Sequence, residues 1–426
     1  MHEKKHLGFS GLCDALSERT RLLPDSRQQG KVDHSVHDAV MCAFAAMYFQ
    51  DPSLLQFQRR MEDARQTNNL KSLFHVDSIP RDTQIREVLD EADPSSLEGV
   101  FTDYFGRLQR GKHLESFRVL GKYYPIVIDG SEYFSSEKLH CPGCLTRKKR
   151  FTHQIVQAAV VHPDKSEVIP LMPEEVKNTD GLEKQDCEVN AAKRLIKKIR
   201  KIHPRLPLII VGDGLYSKQP FILDALSEKM HYVLVAKETD HEVLMEYVNG
   251  ARILGEVSRM EVKDHKGRLH VYEWINDVPL NGNDDAPFVN YFSYSLFTTN
   301  GRTYSNSWVT DIPVEKNTIE ELVRVGRSRW KIENEIFNTV KNHGYFIEHN
   351  YGHGKKHLSF NFFLLNMLAF FMHQIFELTD RLYQECRKKL GSKKNLWDHF
   401  RVSIRMFIFP NWDTLLRRVH TPSDFW

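Results

Sequence analysis

Two short runs of β-branched residues, each closed by an aspartate, constrain this chain most: Ile126-Val127-Ile128-Asp129-Gly130 and Ile209-Ile210-Val211-Gly212-Asp213-Gly214. Bounded apolar runs of this length read as buried strands. An acid at the end of such a strand is costly unless it meets a cation or a metal. A third acid, Glu333, lies in the basic, helix-patterned segment Arg327-Ser328-Arg329-Trp330-Lys331-Ile332-Glu333. If the two strands are neighbours, Asp129 and Asp213 emerge at one sheet edge, and Glu333 approaches from a helix packed on that sheet. On a regular helix Glu335 points about 200° away from Glu333, so Glu333 is the acid expected at the site. Phe337 and Lys341 follow it at i+4 and i+8 on the same face. Hard oxygen ligands suit Mg²⁺ or Mn²⁺ rather than Zn²⁺. Three carboxylates can hold two such ions for phosphodiester chemistry. The competing reading of either aspartate alone is a turn initiator, since Asp-Gly is a common turn pair.

At 426 residues the chain is expected to hold two or three domains. A net charge of +3 predicts no partner by itself. The basic residues cluster, however, at Arg147-Lys148-Lys149-Arg150, between Lys193 and Lys201, at Arg387-Lys388-Lys389, at Lys393-Lys394 and at Arg417-Arg418. Each cluster alone reads as a solvated face; their repetition points to a polyanionic partner. No long apolar segment follows the N-terminal Met1-His2-Glu3-Lys4-Lys5-His6, so no signal peptide is expected. The most apolar stretch, Phe360 to Met372, is interrupted by Asn361 and Asn366. It falls short of the roughly 20 residues that a membrane span needs, so it reads as a core helix. Six cysteines in so long a chain make no disulfide framework, which predicts a cytoplasmic protein.

Residues 1–120 read as helical. Ser35 serves as an N-cap before Val36, and Ser53 opens a second helix after Asp51-Pro52. From Tyr123 the pattern is three strands, a helix, a strand, a helix and a strand, indicating a mixed sheet with helices packed on it. Residues 236–312 read as β-rich, with turn signals at Lys266-Gly267, Asn281-Gly282 and Asn300-Gly301. One helix is expected from about Thr318 to Asn342, capped by Asn317-Thr318, and residues 351–426 are helical again. The predicted class is α/β.

These residues resemble the insertion-sequence transposases of the DDE class that carry a β-rich insertion before the last acid. The resemblance spans roughly residues 30 to 380 and is most specific around the three acids. It implies a ribonuclease H-like core over 121–235 and 313–350, the β-rich insertion at 236–312, a DNA-end-binding helical domain over 1–120 and a helical region over 351–426. It implies that Asp129, Asp213 and Glu333 are catalytic and bind Mg²⁺ or Mn²⁺. It also implies an enzyme that cuts double-stranded element ends and joins the 3′-OH to target DNA, acting as a homodimer away from any membrane. The group's Tyr-Arg-Glu-Lys signature is matched at Arg329 and Glu333, whereas Lys341 stands one residue too far on and Gly326 occupies the Tyr position. Arg329 and Lys341 would contact phosphates, with a surface salt bridge to Glu333 or Glu335 as the alternative. Trp308, just before the catalytic helix, would stack on an unpaired base; a buried core tryptophan is the alternative. The rival functions are a nuclease on the same core without strand transfer, and a non-catalytic DNA-binding derivative.

Three further constellations stand apart. Cys141-Pro142-Gly143-Cys144 is half a zinc site, with His140, His153, His162 and Cys187 as candidate partners and reduced core thiols as the alternative. His349, His353 and His357 have helical spacing, but Gly352 and Gly354 argue for a loop. Asp186 and Glu188 either reach the acidic site or cap the basic helix that follows, whose Lys and Arg residues either track phosphates or face solvent. No Walker loop, dinucleotide fingerprint, HExxH or nucleophile elbow is present.

Overall fold

The apolar runs build one eleven-stranded sheet. The computed structural model describes residues 5–25, 27, 32–61, 64–177, 185–299, 301–349 and 351–421. The strands are β1 (Tyr124–Ser136), β2 (Leu145–Arg147), β3 (Arg150–Val160), β4 (Ile169–Pro170), β5 (Glu174–Val176), β6 (Leu208–Gly212), β7 (His231–Val235), β8 (Ser258–Lys263), β9 (Leu269–Pro279), β10 (Phe288–Thr298) and β11 (Gly301–Thr310). Their order is β2-β3-β1-β6-β7-β11-β10-β9-β8, with β4 and β5 paired onto β3. β1, β6 and β7 are parallel to one another, and β3 runs antiparallel to β1. Helices cover both sides of the sheet, and β6 is buried along its whole length. That double burial explains why β6 is continuously apolar instead of alternating.

Among the described residues six α-helices precede the sheet: α1 (Phe9–Arg21), α2 (Val36–Tyr48), α3 (Leu54–Met61), α4 (Ala64–Phe74), α5 (Asp82–Glu91) and α6 (Ser95–Arg110). Between its strands lie α7 (Glu188–Ile202), α8 (Gln219–Ser227) and α9 (Glu242–Leu254). After them come α10 (Ile319–Arg327), α11 (Asn338–Asn342), α12 (Leu358–Thr379), α13 (Arg381–Leu390), α14 (Lys393–Met406) and α15 (Trp412–His420). The Ser35 and Ser53 hydroxyls accept the amides of Asp38 and Gln56 at 2.9 and 3.1 Å, as expected of N-caps. Thr318 does not cap α10 with its side chain.

The first and last helical regions share one core. α12 packs on α2, α5 and α6, and the Phe9 ring stacks on Trp412 at 4.8 Å. Boundaries drawn at 120 and 351 therefore divide the chain but not the packing. α12 is long and apolar enough to cross a membrane, yet 83% of its most apolar window is buried inside the protein, which makes it a core helix. Its N-terminus is held from outside the helix: Asp90 Oδ1 accepts the amides of Lys356, His357 and Leu358 at 2.9–3.1 Å. Four amides at a helix start lack intrahelical partners, and a carboxylate is suited to them.

Three expectations need correction. β1 continues past Asp129 to Ser136, paired all the way with β3, so Asp129 lies inside a strand. The β-rich stretch is continuous with the core sheet. Its last strand pairs with β7 through Trp308↔Val235 and Thr310↔Val233, extending the core sheet. It also contains the helix α9. Finally, no single α-helix runs from Thr318 to Asn342: α10 stops at Arg327, a turn follows, and Ile332–Phe337 forms a π-helix before α11. Of the turn signals, Asn300 lies outside the described residues.

Candidate active site

The register of two parallel strands brings the first two acids together. Val127 stands opposite Val211 in the β1–β6 pair. Two residues beyond that pair stand Asp129, still on β1, and Asp213, just past the end of β6. β6 ends at Gly212 while β1 runs on. Asp213 then opens a turn, its Oδ1 accepting the Leu215 amide at 2.8 Å. Asp213 is thus a turn initiator and a site acid at once. At Asp129 the turn reading fails, because the following glycine serves a close approach instead. A Cβ on Gly130 would fall 2.2 Å from Glu188 Oε2.

Glu188 is the acid that reading the sequence did not assign. It begins α7, where the helix dipole favours a carboxylate. The buried Tyr216 hydroxyl donates to its Oε1 at 2.7 Å. Neither acid caps α7 with its side chain; Asp186 accepts the Cys187 amide at 2.9 Å just before the helix and pairs with Arg194 at 2.8 Å. A glycine beside Asp129 is the one local hint in the sequence that a further carboxylate would approach. The approach itself depends on sheet order, which separates Glu188 from Gly130 by a long stretch of chain.

The crowding has an electrostatic signature. Burial, and then the charge of Glu188, push the Asp129 carboxyl up to about 7; Asp213 adds to the rise, while Arg329 and the Gly130 amide oppose it. Like charges gathered in a partly desolvated site penalise ionisation. A divalent cation would relieve the same penalty, and an all-oxygen donor set fits Mg²⁺ or Mn²⁺.

Glu333 reaches this site through Arg329. One guanidinium nitrogen lies 2.7 Å from Glu333 Oε1 and 3.7 Å from Asp129 Oδ2. The salt bridge to Glu333 given as the alternative reading of Arg329 therefore forms, and it includes the first acid as well. The π-helix that carries Glu333 packs on β1. Lys341 does not join the group; it pairs with Glu348 at 2.8 Å.

Trp308 is fully buried, stacked on Phe292 at 5.3 Å. A ring enclosed in this way has no face to offer a base, so its assignment to DNA is withdrawn. It also explains Gly326: a Cβ there would lie 2.6 Å from the indole Nε1. The indole occupies the space that a tyrosine at 326 would need.

Most of the basic helix α7 is spent internally. Lys193 pairs with Asp224 at 2.9 Å, Lys198 with Glu98 at 2.7 Å, and Arg200 donates to backbone carbonyls of Glu228 and Lys229. The other early cluster is displayed: Arg147, Lys148, Lys149 and Arg150 are exposed at the tip of the β2–β3 hairpin. Lys148 and Lys149 form its two-residue turn with φ of 43° and 66°, the left-handed backbone that such tight hairpins require.

Cys141 and Cys144 are brought together with His153 and His353, the last arriving from beyond the π-helix. His162 and Cys187 stay outside this group. The spacing of His349, His353 and His357 is not helical in the fold, since His357 lies at the start of α12 and the others precede it in irregular backbone.

Residues 183–371 match the family model described as the transposase DDE domain. The chain carries a transposase DDE domain. The match contains Asp213, Glu188 and Glu333, and begins after Asp129. No curated protein matches the chain. Transposases of this class act on DNA with divalent metal ions.

Proposed function

We infer that this transposase cuts the ends of its element and joins the freed 3′-OH to target DNA. The observation that carries the reading is the β1–β6 pairing, which brings Asp129 and Asp213 to neighbouring strand positions, with Glu333 bridged to Asp129 by Arg329. Asp129, Asp213 and Glu333 would hold Mg²⁺ or Mn²⁺, with Glu188 as an added acid beside them. Two such ions, when bound, activate the attacking oxygen and neutralise the leaving one. In the protein alone Arg329 neutralises Asp129 and Glu333. It is placed to turn to a scissile phosphate once those acids take up metal.

The displaced lysine of the signature is reconciled by the π turn. A π turn takes about one residue more than an α turn. The extra residue after Glu333 returns Lys341 to the phase of a position one residue earlier on a regular helix. Lys341 would then exchange Glu348 for a DNA phosphate. Gly326 and the indole filling its space leave no room for the signature tyrosine and what it does for hairpin formation. The exposed hairpin tip Arg147–Arg150 offers a further phosphate grip. Synapsis of two ends makes the working form a dimer, and its place is the cytoplasm.

The test is incubation with a double-stranded element end and Mg²⁺, scoring nicked and joined products for wild type and Asp213→Asn. Joining by the wild type alone supports the reading, and nicking without joining would make the protein a nuclease. Equal cutting by the two proteins would remove Asp213 from the site. Absence of salt-sensitive DNA binding would leave neither function standing.

A further inference from the structure

The Cys141–Cys144 knuckle does not stand alone in the fold. His153 Nε2 lies 3.4 Å from both sulfurs, and His353 Nε2 lies 3.3 Å from Cys144 Sγ. The two sulfurs are 3.8 Å apart and the two imidazole nitrogens 3.1 Å apart. All four donor atoms fall within 4.8 Å of one another. Ligands bound to one tetrahedral zinc, at about 2.3 Å for sulfur and about 2.0–2.1 Å for nitrogen, are separated by about 3.3–3.8 Å. Four of the separations fall in that range, and the two imidazole nitrogens, at 3.1 Å, lie just below it.

Hydrogen bonding accounts for it poorly. The His353 Nδ1–H donates to the Gly354 carbonyl at 2.9 Å, which leaves a lone pair on Nε2. Two weak thiol donors and the His153 ring are then left to supply every contact in the group. A cation at the centre satisfies all four donors at once, and the Gly354 carbonyl is the outer partner that metal-bound histidines commonly have. Phe134 packs on both imidazole rings, at 5.7 Å from His153 and 4.5 Å from His353, closing the group with an apolar wall.

We propose that Cys141, Cys144, His153 and His353 form a structural zinc site. With four protein ligands it keeps no open position for catalysis. Binding releases the two thiol protons to solvent and leaves a neutral Cys₂His₂ centre. Its role follows from where the ligands come from. The cysteines stand between β1 and β2, His153 is on β3, and His353 lies on the segment that follows the Glu333 helix. The metal therefore ties the hairpin bearing Asp129 to the chain leaving Glu333, and it anchors the base of the Arg147–Arg150 tip. Gly352 and Gly354, at φ of 145° and 71°, give the loop the backbone that delivers His353.

The full-length protein, purified without added metal, should contain one zinc per chain by mass spectrometry. Replacement by Co²⁺ should give the intense visible bands of a tetrahedral ion and a thiolate charge-transfer band. Cys144→Ser should lose the zinc, whereas Cys187→Ser, outside the cluster, should keep it. If Cys144→Ser does not fold, His353→Cys decides: it retains a ligand and should bind Co²⁺ with more intense thiolate charge transfer. A zinc-free wild type that cannot take up Co²⁺ would overturn the proposal. So would equal zinc in wild type and Cys144→Ser, or a Co²⁺ spectrum that His353→Cys leaves unchanged.

Discussion

One hairpin carries two ligand clusters that are built in opposite ways. On β1 and β3, the rung at Asp129↔Gln157 belongs to the acidic site and the rung at Phe134↔His153 to the Cys/His group. The Cys/His donors have already converged to metal-binding distances. The acids have not: they repel, Asp129 holds its proton to about 7, and Arg329 stands where positive charge is needed. A site finished before its metal arrives suits a permanent structural ion. A site left electrostatically incomplete suits ions that come with the substrate. On the proposed reading the contrast separates what would hold this fold from what would act on DNA.

The largest effect should come from the unfinished site. Asp213→Asn should slow DNA cleavage by about 10³-fold or more, because a metal ligand supports several kcal/mol of transition-state stabilisation. Thermal stability and zinc content should stay at the wild-type values. Cys144→Ser should reverse that pattern, removing zinc and lowering stability by about 2 kcal/mol or more, with cleavage falling only as far as the folded fraction falls. A Cys144→Ser protein with unchanged melting would erase the distinction.

Smaller changes probe the framework between the clusters. Gly326→Ala drives a methyl into the buried Trp308 indole and should cost about 1–3 kcal/mol by denaturant unfolding, despite alanine's better helix propensity. No loss of stability would mean that the indole has room to move. The smallest effect is on pH dependence. Asp129 has its folded-state pKa near 7, above the roughly 3.9 of an unfolded aspartate. Between those values the folded protein binds the extra proton, so the metal-free protein should lose stability as pH rises from about 4 through 7. Glu188→Gln removes the charge next to Asp129 and should flatten that slope; ¹³C titration of Asp129 would show its pKa falling. An unchanged titration would detach Glu188 from the site.

The strands bearing Asp129 and Asp213 were legible because buried parallel strands are apolar without interruption. Glu333 was legible because Arg329 and Trp330 mark its segment. Glu188 was legible only as one of two readings, reaching the acids or capping α7, since its closeness to Gly130 follows from sheet order rather than from spacing. His353 was hidden for the same reason, standing 209 residues from Cys144. Trp308 was misassigned because an aromatic residue at a strand end reads alike whether it packs against a helix or faces a base; only the absent side chain of Gly326 decides. The π-helix escaped notice because its local sequence is that of an ordinary helix.

The central claim, that Asp129, Asp213 and Glu333 form a metal site distinct from the Cys/His cluster, is tested most directly by a Mn²⁺ titration followed by electron paramagnetic resonance. Wild type and Cys144→Ser should both bind Mn²⁺, and Asp213→Asn should leave it free in solution. Wild-type Mn²⁺ binding by Asp213→Asn, or its loss on Cys144→Ser in protein that remains folded, would contradict the account.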